Sequence, residues 1–144
     1  MAAKYLIVAG QFNEIVTKNL LEGALDVFSS SGLSPDQVKT VWVPGCYEMP
    51  VVAAKAASSS NFAGIICLGC VIRGETPHFD YVAGECASGL MRVSIDAQIP
   101  VVFGVLTTNT VDQALNRAGL KYGNKGRDAA NTAIEMSKIM NELS

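Results

Sequence analysis

The sequence predicts an α/β domain in which βα units surround a parallel sheet. Short β-branched runs alternate with longer segments of helical period, the pattern expected of strands joined by crossover helices. Its 144 residues, 49% hydrophobic and 17% charged, suit one domain with its own core. No linker or internal repeat interrupts residues 1–144, and only Ser58 to Ser60 read as a low-complexity loop.

Strands are expected at Tyr5 to Ala9, Lys39 to Val43, Gly64 to Leu68 and Val101 to Val105. Between the first two, Val16, Leu20, Ala24, Val27 and Phe28 recur at three- and four-residue spacing, and Gly32 follows as a C-terminal stop. Alanine-rich Met49 to Ser58, then Phe79 to Ala97, then Val111 to Arg117 ahead of Gly119, read as the later helices. Gly126 to Leu143 closes the series, with Ala129, Ala133, Met136, Met140 and Leu143 on one stripe that packs on the core or serves as an interface.

The net charge of −2 and pI near 5.3, with Lys and Arg scattered singly, exclude the basic footprint of a nucleic-acid binder. A mean hydropathy of +0.28 is high for a free monomer and points to a homo-oligomer. The apolar run in MAAKYLIVAGQ is too short for a signal segment or a membrane span, so a cytoplasmic protein without membrane attachment is expected. Cys67 and Cys70 form a C-x-x-C, but on a strand positions three apart face opposite sides. A zinc site would also need Cys46 and Cys86 to converge, with a single histidine in the chain. Buried thiols are the expected reading, and no metal.

Ligands of an open parallel sheet bind beyond the carboxyl ends of the strands. Four loops are expected there: GQFN, PGCYE, GCVIRGETPHF and TTN. Phe12 and Tyr47 each follow a strand, where an aromatic ring either stacks on a flat ligand or caps the core. Glu48 either favours a helix start through the dipole or accepts from ligand hydroxyls. In the third loop Gly74 permits a close backbone approach, Thr76 can cap the next helix, and Pro77 suits its first position. Amides so presented would hold a phosphate or carboxylate. His78, in the first turn, is either a surface residue or a group placed to move a proton on the bound anion. No G-x-G-x-x-G, P-loop or G-x-S-x-G pattern competes.

Five stretches, GQFNEIVTKNLLEGA, VPGCYEMPV, GCVIRGETPHFDYV, FGVLTTNTVDQALNRAG and GNKGRDAA, together resemble the 6,7-dimethyl-8-ribityllumazine synthases of riboflavin biosynthesis, in that family's order and across nearly the whole chain. VIRGETPHFDYV is the most specific. The resemblance implies a flavodoxin-like three-layer sandwich, a four-stranded parallel sheet flanked by helices on both faces. It implies a transferase that condenses 5-amino-6-(D-ribitylamino)uracil with 3,4-dihydroxy-2-butanone 4-phosphate, without cofactor or metal. Positioning two reactants and moving protons can supply much of such a rate.

Carried over residue by residue, the resemblance makes Phe12 the ring that stacks on the pyrimidinedione and Cys46, Tyr47 and Glu48 the holders of the ribityl chain. Cys70, Val71 and Ile72 would read the ring edge, Glu75 and Thr76 would cradle the phosphate, and His78 would transfer the proton. Phe103 and Arg117 would reach the site from a neighbouring subunit, Arg117 toward the phosphate, although a cation ending a helix before Gly119 also has a purely local explanation. Lys125 and Asp128 are secondary candidates. Gln11 stands where the family often has arginine, and Cys46-Tyr47 where it has a small residue followed by Phe or Trp. The implied assembly is a pentamer, in some members an icosahedral shell of twelve pentamers. GLKYGNKG lacks an insertion found in many plain pentamers, while the residues before the first strand are few for the extra strand used in shells, so higher assembly stays open, as does association with riboflavin synthase. A flavin- or nucleotide-binding module and a catalytically silent container protein are the competing readings.

Overall fold

The computed structural model describes residues 3–75 and 77–144. Four strands, β1 (Tyr5–Gly10), β2 (Val38–Val43), β3 (Gly64–Ile72) and β4 (Val101–Thr108), form a parallel sheet of order β2-β1-β3-β4. Five α-helices alternate with and follow them: α1 (Glu14–Ser30), α2 (Met49–Ser58), α3 (His78–Ala97), α4 (Val111–Arg117) and α5 (Lys125–Glu142).

Side chains of a strand alternate between its faces, and the core divides accordingly. Tyr5, Ile7, Ile66, Leu68 and Cys70 pack with Val16, Leu20, Ala24, Val27 and Phe28 of α1 and with Ala129, Ala130 and Ala133 of α5. Leu6, Val8, Ile65, Cys67 and Val71 turn the other way, toward Met49 and Ala53 of α2 and Cys86 and Leu90 of α3. The result is the three-layer sandwich expected from the sequence, with helices on both faces.

Helix α1 ends as the sequence implied. Gly32 has φ +91°, its N–H donates to the Ser29 carbonyl at 3.1 Å, and Leu33 N–H donates to the Phe28 carbonyl at 3.1 Å. This pair of bonds is a Schellman motif, which needs a residue that tolerates positive φ.

Three expectations change. Strand β3 runs to Ile72 and β4 to Thr108, so Cys70, Val71 and Ile72 lie on a strand rather than in a loop, and Thr107 and Thr108 leave the TTN loop. The cause is continued pairing, Cys70↔Leu106 through Ile72↔Thr108, which satisfies the backbone of both segments. Pro77 takes the N-cap of α3 instead of its first helical position, and His78 is the first helical residue. The expected capping role of Thr76 lies outside the described residues. In α5 the buried seam is Gly126, Ala129, Ala130, Ala133 and Ser137, whereas Leu143 is exposed. Small residues win because the backbones of α1 and α5 approach closely: a Cβ on Gly126 would lie 1.9 Å from the Leu20 carbonyl oxygen.

Chain order reverses across the sheet between β1 and β3, with α1 leaving on one face and α3 on the other. The loops diverge there, which opens a crevice at the carboxyl ends of these two strands.

Candidate active site

A cavity of about 810 Å³ occupies that crevice. Its floor is the end of β3, Cys70 to Ile72; one wall comes from the turns after β1 and β2, the other from the first two turns of α3.

The β1 turn is held by backbone bonds to the β2 side. Gln11 N–H donates to the Val43 carbonyl at 2.8 Å and Phe12 N–H to the Pro44 carbonyl at 3.0 Å. With its backbone fixed, the Phe12 ring lies against Gly45, where an added Cβ would sit 2.5 Å from Phe12 Cδ2. The ring is nonetheless 69% exposed, and Tyr47 is 58% exposed. Neither caps the core. Both line the cavity as bare aromatic surface, which is costly unless a flat apolar partner covers it.

The turn after β2, Cys46–Glu48, is one turn of 3-10 helix that runs directly into α2. It buries Cys46, exposes Tyr47 and leaves Glu48 half-buried at the cavity. A hydrogen bond with the Cys86 thiol, then burial, push the Cys46 thiol far above the usual thiol range. Burial does the same for Cys67, and it pushes Cys70 up to about 12. All four cysteines are free, buried and, at neutral pH, these three are uncharged. Cys67 and Cys70 face opposite layers of the core, as the strand period required. Such thiols are poor nucleophiles, so they contribute shape rather than covalent chemistry.

His78 opens α3 and lines the cavity, followed on the same helical face by Tyr81, Val82 and Glu85 at spacings of three, four and seven residues. The start of α3 is tied down by Arg73. Its guanidinium lies 4.5 Å from the Phe79 ring centroid and 3.8 Å from Asp80, and Nε donates to Asn109 Oδ1 at 3.1 Å. Each contact is individually weak, about 0.5–1 kcal/mol, but together they join Arg73, just past β3, to the first turn of α3 and to Asn109.

Of the candidates, Phe12, Cys46, Tyr47, Glu48, Cys70, Val71, Ile72 and His78 converge on this one cavity. Four others do not. Glu75 is exposed and outside the lining, Arg117 is exposed at the end of α4, and Phe103 is half-buried on β4 opposite Cys67, on the α3 side of the sheet. Thr76 is outside the described residues. Lys125 and Asp128 are exposed in the first turn of α5, again away from the cavity. Asn13, Tyr81, Val82 and Glu85 were not anticipated. The last three could have been found by continuing the helical period from His78; the role of Asn13 depends on a contact that no local pattern encodes.

The lining holds two carboxylates, Glu48 and Glu85, and among the described residues no lysine or arginine. The carboxylates suit a ligand rich in hydroxyl donors, the aromatic rings a flat heterocycle. An anionic ligand would need its cation from outside this lining. Among the described residues no group of three or more His, Cys, Asp or Glu could hold a metal ion, and no helix is long and apolar enough to cross a membrane.

Comparison with known proteins agrees with the geometry. A family model described as 6,7-dimethyl-8-ribityllumazine synthase matches residues 2–141. The 6,7-dimethyl-8-ribityllumazine synthase of Protochlamydia amoebophila (strain UWE25) is 53% identical over 142 residues, which cover 99% of this chain and 83% of the relative. A match of this extent places the chain in the 6,7-dimethyl-8-ribityllumazine synthase family.

Proposed function

We propose that the cavity at the ends of β1 and β3 is where this lumazine synthase condenses 5-amino-6-(D-ribitylamino)uracil with 3,4-dihydroxy-2-butanone 4-phosphate to give 6,7-dimethyl-8-ribityllumazine. One observation carries the assignment: a single cavity gathers exposed Phe12 and Tyr47, the carboxylates Glu48 and Glu85, the end of β3 and the chain's only histidine.

The pyrimidinedione stacks on Phe12, its ring edge faces the backbone of Cys70 to Ile72, and the ribityl hydroxyls donate to Glu48. The uracil's amine then attacks the ketone and expels its oxygen as water to form an imine, phosphate is eliminated, and the ring closes with loss of a second water. His78 takes and returns the protons these steps release and require. The nucleophile belongs to the substrate, which accords with thiols that are buried and uncharged.

The phosphate end is served by the loop containing Glu75 and Thr76 and by Arg117 of a neighbouring chain, with Phe103 of that neighbour closing the uracil side. The absence of lysine and arginine among the described lining residues supports this, because a phosphate left without a cation in a partly apolar site is costly. A pentamer is the assembly we favour. Exposed Ile15, Val51, Met91 and Ile95 give the chain apolar surface for such contacts. The buried free thiols fit a reducing cytoplasm.

The test is to mix purified protein with the two substrates and follow the lumazine by absorbance, with the uncatalysed rate subtracted. The reading requires a protein-dependent rate with release of phosphate in equal amount. A folded, oligomeric protein with no rate above background would overturn it.

A further inference from the structure

Asparagine is among the best N-cap residues because its side chain accepts a hydrogen bond from the N2 or N3 amide of the helix. Asn13 stands at the N-cap of α1, yet its side chain makes no capping bond. Its backbone is left-handed, φ 59° and ψ 42°, where an N-cap is usually extended. Instead, Nδ2 donates to the Cys70 carbonyl at 2.9 Å, across 57 residues of sequence. A non-glycine residue in this region carries strain, and here it also forgoes its cap, both at a position that lines the cavity.

The placement of the bond explains its use. The β1–β3 ladder ends at Ala9↔Leu68, so the end of β3 that floors the cavity extends past the last β1 partner. On the β2 side the turn carrying Phe12 is held by backbone bonds from Gln11 and Phe12, which no side-chain substitution removes. Toward β3, the Asn13 amide is the hydrogen bond from this turn to the cavity floor.

We infer that Asn13 is a positioning residue for the aminouracil: by tying the Phe12 turn to the Cys70 carbonyl it fixes the separation between the stacking ring and the backbone that faces the ring edge. This rests on the assignment of the cavity made above and adds a residue to it. A flat heterocycle held at once by its face and its edge needs both surfaces in register, and a loose turn would weaken that ligand while leaving the phosphate end unaffected.

Two variants separate the tie from the backbone conformation. Asn13→Gly adopts the left-handed region freely and loses the bond; Asn13→Asp keeps the shape, but an ionised carboxylate cannot donate. Steady-state kinetics with each substrate varied in turn should show the KM for the aminouracil raised about tenfold in both variants, with the KM for the butanone phosphate changed by less than about twofold. Melting temperatures should stay within a few degrees of wild type. Calorimetric titration of the aminouracil alone onto wild type and Asn13→Gly gives a readout independent of turnover and should show the same weakening. An unchanged aminouracil KM and affinity, a parallel rise of both KM values, or a loss that follows the melting temperature would overturn the inference. If wild type bound the aminouracil but did not turn over, the reaction would be wrong, and the calorimetric comparison would still decide the role of Asn13.

Discussion

Phe12→Ala separates ligand stacking from folding because the ring is mostly bare in the single chain. At 69% exposure, about a third of a side chain of roughly 200 Å² is buried, which at about 25 cal/mol per Å² is worth about 1.5 kcal/mol as an upper figure. With an unfolding entropy of about 2.1 cal/mol/K per residue, a chain of 144 residues should lose about 5 °C in Tm or less. Removing a stacking platform costs about 1–3 kcal/mol of ligand affinity, or roughly 5- to 150-fold. Steady-state kinetics with each substrate varied should therefore show the aminouracil KM rise by that factor and the butanone phosphate KM hold, while scanning calorimetry shows the small thermal shift. Phe12→Trp should restore most of the affinity. An unchanged aminouracil KM in Phe12→Ala, or a fall in Tm beyond about 10 °C, would refute the view of Phe12 as a ligand platform.

His78→Ala should slow turnover by about one to four orders of magnitude while native mass or light scattering shows the assembly intact; an unchanged rate removes His78 from the chemistry. Arg117→Ala should raise the KM of the butanone phosphate more than that of the aminouracil, and equal effects would contradict its phosphate role. Gly126→Ala would set a Cβ 1.9 Å from backbone oxygen, so it should cost about 3 kcal/mol, or about 10 °C in Tm; a stable variant would mean that α1 and α5 are less closely packed than described. Because the buried Cys70 thiol titrates at about 12, against an ordinary value of 9.0, the folded state keeps a proton that the unfolded state releases above pH 9. Its contribution to stability is full below pH 9 and is lost as pH rises toward 12, so urea melts should fall less steeply with pH in Cys70→Ala; identical slopes would argue that the thiol is not buried as described.

The fold was largely legible because its signals are local. Val16, Leu20, Ala24, Val27 and Phe28 mark a helix stripe, Gly32 its stop, and the apolar runs the strands, each readable within one window. What escaped was set by partners distant in sequence. Strands β3 and β4 extend through Ile72 and Thr108 because they pair with each other, which neither segment announces alone. The small-residue seam of α5 reflects close approach to α1, so Met136 and Met140, on the stripe that could pack on the core or serve as an interface, are only half-buried. At the site, Phe12, Tyr47, Glu48 and His78 were accessible to reasoning because each abuts a strand end or helix start. Asn13 was not, since its donor role is a contact over 57 residues. Phe103 and Arg117 came only from family resemblance, and within one chain they stay away from the cavity.

The claim that the cavity is half of a site completed by a neighbour has a direct test in subunit complementation. His78→Ala and Arg117→Ala chains are purified, mixed in equal amounts, dissociated, reassembled and assayed at a low concentration of the butanone phosphate. If His78 and Arg117 of one site come from different chains, about a quarter of the mixed sites pair an intact histidine with an intact arginine, and activity should return to about a quarter of wild type. Activity no greater than the average of the two variants assayed separately would show that each chain carries its own complete site, and would contradict the shared one.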